Sequence, residues 1–257
     1  MDNYCSFNIC YFTNSSKVFS KESFFMEKIK LSIENINKRY DSRIIFRDFN
    51  IDFYVNEVNC ILGKSGCGKT TLLNIISGII KNDTNNLNIK ENLNRVGNKL
   101  EASYIFQDDR LIDWLTVEEN IKIVVNKYYN KTQLNKICDE YLELVGISDY
   151  KKFYPQMLSG GIRQRVNIAR AFIYPSKNII MDEPFKSIDA KNTQLIMDNF
   201  RNILRKEKRT VLFVTHNIEE ALFLADRIFI LGDSPIRIKK ILKNSKELEK
   251  NEVLKLI

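Results

Sequence analysis

Between residues 29 and 62 apolar and polar positions alternate in short runs: Ile29, Leu31 and Ile33, then Ile51, Phe53 and Val55, then the run 60–62. A period of two predicts strands. The last run stops directly at Gly63, and residues 70–77 (TTLLNIIS) then take a helical pattern that ends at Gly78. Residues 81–99 are rich in Asn and punctuated by Gly97, which predicts turns around a short strand near 87–89. Residues 104–106 predict a short buried strand. From 111 to about 144 the pattern is helical, with Ile121, Val124, Val125 and Tyr128 on one face. Pro155 breaks the chain before Leu158, and residues 162–173 predict an amphipathic helix with Ile162, Val166, Ala169 and Ile173 on its apolar face. Three wholly apolar runs, 179–181, 211–214 and 228–231, predict strands, with a helix at about 193–207 between the first two. Continuous apolar strands alternating with helices imply a parallel sheet covered on both faces. The tail KELEKNEVLKLI predicts a short surface helix.

At 257 residues the chain is long enough for one domain, or for a domain with a subdomain. No stretch approaches the ~18–20 apolar residues of a membrane span. A net charge of +8 admits an anionic partner, but no compact Lys/Arg block appears, and general enrichment in Lys, Asn and Ile accounts for it better. The five cysteines, Cys5, Cys10, Cys60, Cys67 and Cys138, are odd in number and not spaced as metal pairs, so reduced thiols and a cytoplasmic compartment are expected. Residues 1–25 make a poor secretory signal, and Met26 opens a clean strand pattern. The expectation is that 1–25 form an extension, either disordered or absent from the natural product, and that translation begins at Met26.

The chemistry gathers at GKSGCGKT (63–70), which fits G-x-x-x-x-G-K-[ST] between a strand and a helix. Gly63, Gly66 and Gly68 let the backbone turn its N–H groups toward phosphate oxygens, and the helix N-terminus adds positive potential. Lys69 is expected to reach the β- and γ-phosphates of ATP and Thr70 to ligate Mg²⁺, with Lys64, Ser65, Cys67 and Thr71 completing the nucleotide-contacting stretch. Asp182 ends an apolar strand at the same sheet edge and suits Mg²⁺. Glu183 suits the base that orients the attacking water. The plainer reading, a helix-capping acidic pair before Pro184, loses weight beside a phosphate loop.

LSGGIRQR (158–165) resembles the signature of ATP-binding cassette proteins, and the resemblance extends over about residues 29–240. It implies an α/β fold: a RecA-like P-loop NTPase core with an N-terminal antiparallel β portion and a helical subdomain inserted at about 108–157, within an ATPase domain spanning 26–257. It also implies a head-to-tail homodimer, in which Ser159, Gly160 and Gly161 contact the γ-phosphate held by the other copy. An ordinary helix cap is the alternative for that Ser-Gly-Gly. Three further positions are assigned by resemblance. Gln107 senses Mg²⁺ and the transport partner, His216 (the only histidine) contacts the γ-phosphate, and Tyr40 stacks on adenine. Asp189 is retained in the loop joining the two sites. The departures are Ile162, where Gln is frequent, and Lys186, in a Phe-Lys-Ser-Ile-Asp stretch where relatives often have Phe-Gly-Ala-Leu-Asp.

RLIDWLTVEEN (110–120) and FVTHNIEEALFLADRI (213–228) are similar to cassettes of the nitrate, sulfonate, taurine and bicarbonate importers, with Asp113 in place of the usual Pro. Trp114 has two readings, beside the groove that receives a transmembrane coupling helix or in the core. The resemblance implies an ATP-hydrolysing importer subunit on the cytoplasmic side of the membrane. Its partners would be two permease subunits and, through them, an extracellular solute-binding protein, with no nucleic acid. The rivals are a soluble cassette ATPase acting on ribosomes or DNA, and a nucleotide-binding regulator without turnover.

Overall fold

A computed structural model of the protein describes residues 30–91, 94–244 and 250–256. The expectations for residues 1–25, Met26, Ile29, Cys5 and Cys10 lie outside the described residues. In chain order the elements are β1 (Lys30–Tyr40), β2 (Arg43–Tyr54), β3 (Val58–Leu62), α1 (Lys69–Ile76), β4 (Asn88–Glu91), β5 (Asn94–Gly97) and β6 (Ser103–Ile105). There follow α2 (Val117–Lys122), α3 (Lys131–Leu144), α4 (Gly160–Ile173), β7 (Asn178–Asp182), α5 (Ala190–Glu207) and β8 (Thr210–Val214). The chain continues through α6 (Ile218–Leu224), β9 (Arg227–Gly232), β10 (Arg237–Lys243) and α7 (Lys250–Leu254).

The strands form two sheets, a four-stranded one in the order β2-β1-β4-β5 and a six-stranded one in the order β10-β9-β3-β8-β7-β6. The first is antiparallel throughout, whereas the second is parallel from β9 to β6 with β10 antiparallel at its edge. Apart from buried Asn59 in β3 and the polar residues at strand ends, the parallel strands are apolar, because each face serves a separate core. Cys60, Leu62, Ile179, Met181, Val211, Phe213, Ile228 and Ile230 pack with residues of α4, α5 and α6, among them Phe172, Phe200 and Ala221. Their alternates Ile61, Ile180, Leu212, Val214, Phe229 and Leu231 pack with Leu72, Leu73, Ile75 and Ile76 of α1 and with the antiparallel sheet. The stacked pair Phe172–Phe200, with centroids 3.8 Å apart, joins α4 to α5 in the first core.

The expected α/β architecture is present, with local corrections. The pattern over 111–144 is not one helical run. A capping box at Thr116 and Glu119 starts α2, and a second at Asn130 and Gln133 starts α3. Between them Val125 is buried in a turn, while Tyr128 is half exposed and meets Tyr174 edge-on, away from any core face. Two cap side chains thus override the apolar periodicity. Trp114 is 79% exposed, which removes the core reading. Strands β5 and β10 and helix α6 carry no clear apolar periodicity and are added by the structure. The pattern of β10, RIKKILK, carries the charges of an exposed edge strand. The tail helix α7 does form, and it buries Val253 while Lys250 pairs with Glu219 of α6 at 2.7 Å.

Candidate active site

The phosphate loop follows β3 and opens α1. Any side chain at position 63 would meet its neighbours: a Cβ there would lie 2.8 Å from the carbonyl oxygen of Leu231 and 3.1 Å from Cys67 Sγ. Gly68, the N-cap of α1, has φ of 112°, in the region that favours glycine, and a Cβ would lie 2.6 Å from Ile45. Gly68 contributes no side-chain cap, and no acidic residue occupies the first turn, so the helix N-terminus suits an anion.

Lys69 is only 6% exposed, and its Nζ donates to the carbonyls of Gly63 at 2.8 Å and Lys64 at 2.9 Å. The ammonium therefore clasps the loop from inside. Lys64, Ser65, Gly66 and Thr70 are exposed, and Thr71 is half-buried. Arg43 donates to the Gly66 carbonyl at 3.3 Å and pairs in register with Tyr40, so the β1–β2 turn flanks the loop. Tyr40 is 45% exposed, with Lys38 Nζ 5.4 Å from its ring centroid.

Cys67 is half-buried, with its sulfur 4.0 Å from Lys69 Nζ. Alkylation of Cys67 is expected to abolish nucleotide binding, and ATP is expected to protect the thiol, as read by mass of the labelled protein. Labelling that ATP does not slow, or that leaves binding intact, would remove Cys67 from the nucleotide's surface.

Asp182, 2% exposed, closes β7 and accepts a hydrogen bond from Thr70 Oγ1 at 3.1 Å. Burial pushes its carboxyl above the usual range, while Thr70 and Lys69 pull the other way. A buried carboxylate oxygen beside a hydroxyl oxygen is the hard donor set that Mg²⁺ prefers, so the residues present fit that ion. Glu183 follows in the left-handed region at φ 45°. That conformation costs a non-glycine residue of order 1–3 kcal/mol and is held here by its N–H, which donates to the Val214 carbonyl at 2.9 Å. Glu183 Oε1 lies 3.2 Å from His216 Nδ1, and Oε2 lies 3.6 Å from Lys186 Nζ. All three line a cleft of 480 Å³.

The sequence reading missed Thr215 and Glu220 behind His216. Thr215 donates to Glu220 Oε2 at 2.6 Å and accepts from the N–H of Asn217 at 3.0 Å, fixing the turn that carries the imidazole. Burial raises the Glu220 carboxyl above its ordinary range. The available signal was an acidic residue at the start of an apolar helix directly after His216.

The Ser159–Gly161 stretch stands elsewhere. Gly160 lines a second cleft together with Gln107, Asp109, Arg163 and Ser187. Ser159 is the N-cap of α4 by position, yet its hydroxyl makes no capping hydrogen bond, which corrects the ordinary-cap reading. A Cβ on Gly161 would sit 2.8 Å from the Ser187 carbonyl oxygen, so α4 packs directly on the segment after Glu183. Gln107 is exposed and belongs to this second cleft. Asp189 caps α5, accepting from the Asn192 backbone at 3.1 Å and its side chain at 2.6 Å. Those bonds hold its carboxyl below the usual range.

The polar face of α4, unread in the sequence, ties these parts together. Gln164 donates to the Pro184 carbonyl at 3.0 Å and Asn167 to the Phe106 carbonyl at 3.1 Å. Arg163 holds Asp109 through two bonds, at 2.9 and 3.0 Å. The helix thus grips both the Glu183 segment and the Gln107 segment. Within the chain, the phosphate loop, Asp182, Glu183 and His216 lie at the ends of β3, β7 and β8, with the β1–β2 turn after Tyr40 beside the loop, while Gly160 and Gln107 line the second cleft.

The family model described as ABC transporter matches residues 46–186. An uncharacterized ABC transporter ATP-binding protein of Methanocaldococcus jannaschii, MJ0412, is 36% identical over 221 residues, 84% of this chain and 82% of its own. The aliphatic sulfonates import ATP-binding protein SsuB of Bacillus thuringiensis is 33% identical, with 86% of this chain and 89% of its own covered. The bicarbonate transport ATP-binding protein CmpD of Synechocystis is 35% identical, with 80% and 75% covered. Among solved structures, the dimeric post-hydrolysis state of the ATP-binding cassette MJ0796 bound to ADP and Pi superposes with a TM-score of 0.73 at 27% identity. It covers 84% of this chain and 99% of that one. With the phosphate loop, the acidic pair ending β7 and the histidine after β8 at one sheet edge, and with these relatives, the chain belongs to the ABC transporter family and is one of its ATP-hydrolysing cassettes.

Proposed function

We propose that this chain is the ATP-binding and ATP-hydrolysing subunit of an importer, working as a homodimer beneath two membrane-spanning permease subunits that receive solute from an extracellular binding protein. The observation that carries the catalytic reading is the pairing of Thr70 with Asp182 beside the pairing of Glu183 with His216. Lys69, already buried against the loop carbonyls, neutralises β- and γ-phosphate charge. Thr70 and Asp182 would hold Mg²⁺, and the resemblance adds Gln107, which lines the second cleft, as a further contact; the ion supplies Lewis-acid charge neutralisation when bound. Glu183 orients the attacking water and accepts its proton, and His216, paired with that carboxylate, would contact the γ-phosphate. Tyr40 stacks on adenine. Ser159, Gly160 and Gly161 complete the site of the other copy, and Asp189 lies on the path between the two sites.

Transport is supported by the names of the relatives and by a second surface. A cleft of 530 Å³ is lined by the apolar side chains of Phe106, Ile123, Val124 and Tyr174 together with the charged Lys127 and Arg170. A cleft that pairs an apolar floor with basic groups suits a permease segment, and exposed Trp114 stands on the loop after Phe106. We assign residues about 108–157 as the helical subdomain that carries this contact, within an ATPase domain of 26–257. Among the described residues no helix is long and apolar enough to cross a membrane. By likeness to the importer cassettes, the subunit would sit peripherally, on the cytoplasmic side. The likeness to sulfonate and bicarbonate cassettes points to small oxyanions, nitrate and taurine-like solutes included, although the choice of solute rests with the partner subunits.

A mild-detergent pull-down of the tagged chain from its native membranes, read by mass, tests this. Recovery of a multi-span permease, with or without a solute-binding protein, supports the importer. Recovery only from the soluble fraction with ribosomes or DNA overturns it, while leaving the ATPase intact.

A further inference from the structure

The carboxylate of Glu183 is mostly shielded, at 18% side-chain exposure, and both of its oxygens face a basic group. Oε1 faces His216 at 3.2 Å, while Oε2 faces the Lys186 ammonium at 3.6 Å. The turn that presents Lys186 is fixed from behind. Its backbone N–H donates to the Glu183 carbonyl at 3.3 Å, Phe185 is buried against Phe200 and Phe213, and Gln164 holds the Pro184 carbonyl. Lys186 itself is half exposed and lines the same cleft as Glu183 and His216. The ammonium therefore meets the carboxylate across one turn without help from another element. A water oriented by Glu183 has to share Oε2 with that ammonium or displace it.

We propose that Lys186 is a positioning residue that draws the Glu183 carboxylate toward the outer side of the cleft and so restrains hydrolysis until the ammonium is displaced. The proposal rests on the reading of Glu183 as the group that orients the attacking water. A pair whose ammonium is half exposed is weak, so the restraint amounts to about two- to fivefold in rate. It is also screened by salt. The position is one where the resemblance has glycine, so the restraint belongs to this chain's own sequence.

The test is ATP turnover by the full chain, purified and in its native membranes, at low and high ionic strength, for the parent, Lys186→Ala, Lys186→Arg and Glu183→Gln. Lys186→Ala is expected to raise kcat about two- to fivefold with KM for ATP unchanged. The parent is expected to be activated by salt, and Lys186→Ala to lose that activation. Lys186→Arg, which keeps the charge, is expected to return to the parent rate and its salt response. Lys186→Ala turning over at or below the parent rate at both ionic strengths, while binding ATP normally, overturns the restraint. If Glu183→Gln is inactive in that case, the role of Glu183 stands and only Lys186 falls. If Glu183→Gln itself turns over at the parent rate, the reading of Glu183 falls and the Lys186 proposal with it.

Discussion

Replacing Glu183 with Gln is expected to cut ATP turnover by about 10²–10⁴-fold while leaving ATP binding intact, so that the variant accumulates as an ATP-loaded dimer. The amide keeps the volume and the reach toward His216 but accepts no proton. Strain at φ 45° is unchanged by the substitution, and the bond from the Glu183 N–H to the Val214 carbonyl is retained, so the fold is expected to hold. Phosphate release and size-exclusion chromatography in ATP give the two readouts. Turnover at the parent rate would remove Glu183 from the chemistry.

Lys69→Ala acts one step earlier. The ammonium is almost wholly buried and satisfies the carbonyls of Gly63 and Lys64. Its loss takes away the positive charge opposite the β- and γ-phosphates and also frees two carbonyls at the mouth of the loop. Truncating one partner of a buried, hydrogen-bonded charge pair costs about 2–5 kcal/mol, so ATP affinity is expected to fall by about 30-fold or more. Equilibrium binding of a fluorescent ATP analogue measures this, with thermal unfolding as the control for the loop itself. Lys69→Arg is not expected to rescue binding, because a planar fork does not fit a pocket built around a compact ammonium. Unchanged affinity in Lys69→Ala would show that the loop binds without its lysine.

The strands of the parallel sheet were legible because burial on both faces leaves few polar positions to confuse the pattern, as in 211–214. The placement of the phosphate loop, Asp182, Glu183 and His216 at strand ends was legible because each ends or follows an apolar run. What the sequence hid has two causes. Edge strands such as β10 are charged where they meet solvent, and the Asn130 cap interrupts a run that apolar periodicity alone would continue. The other cause is distance along the chain. Gln164 on Pro184, Asn167 on Phe106 and Thr215 on Glu220 are polar pairs with no periodic signature, and they emerge only when the fold brings them together. Lys186 shows the same limit, since its charge was visible in the sequence and its partner was not.

The alternation of partners along the parallel strands has a consequence for how such a chain can change over time. Leu72, Leu73, Ile75 and Ile76 anchor the helix behind the phosphate loop on one side of the sheet. Val166, Ile168, Phe172 and Ile173 anchor the helix that begins after Ser159 on the other. The helix behind the phosphate loop and the helix that begins after Ser159 are thus founded in separate compartments of one wall, so a change in the lining of one need not disturb the other.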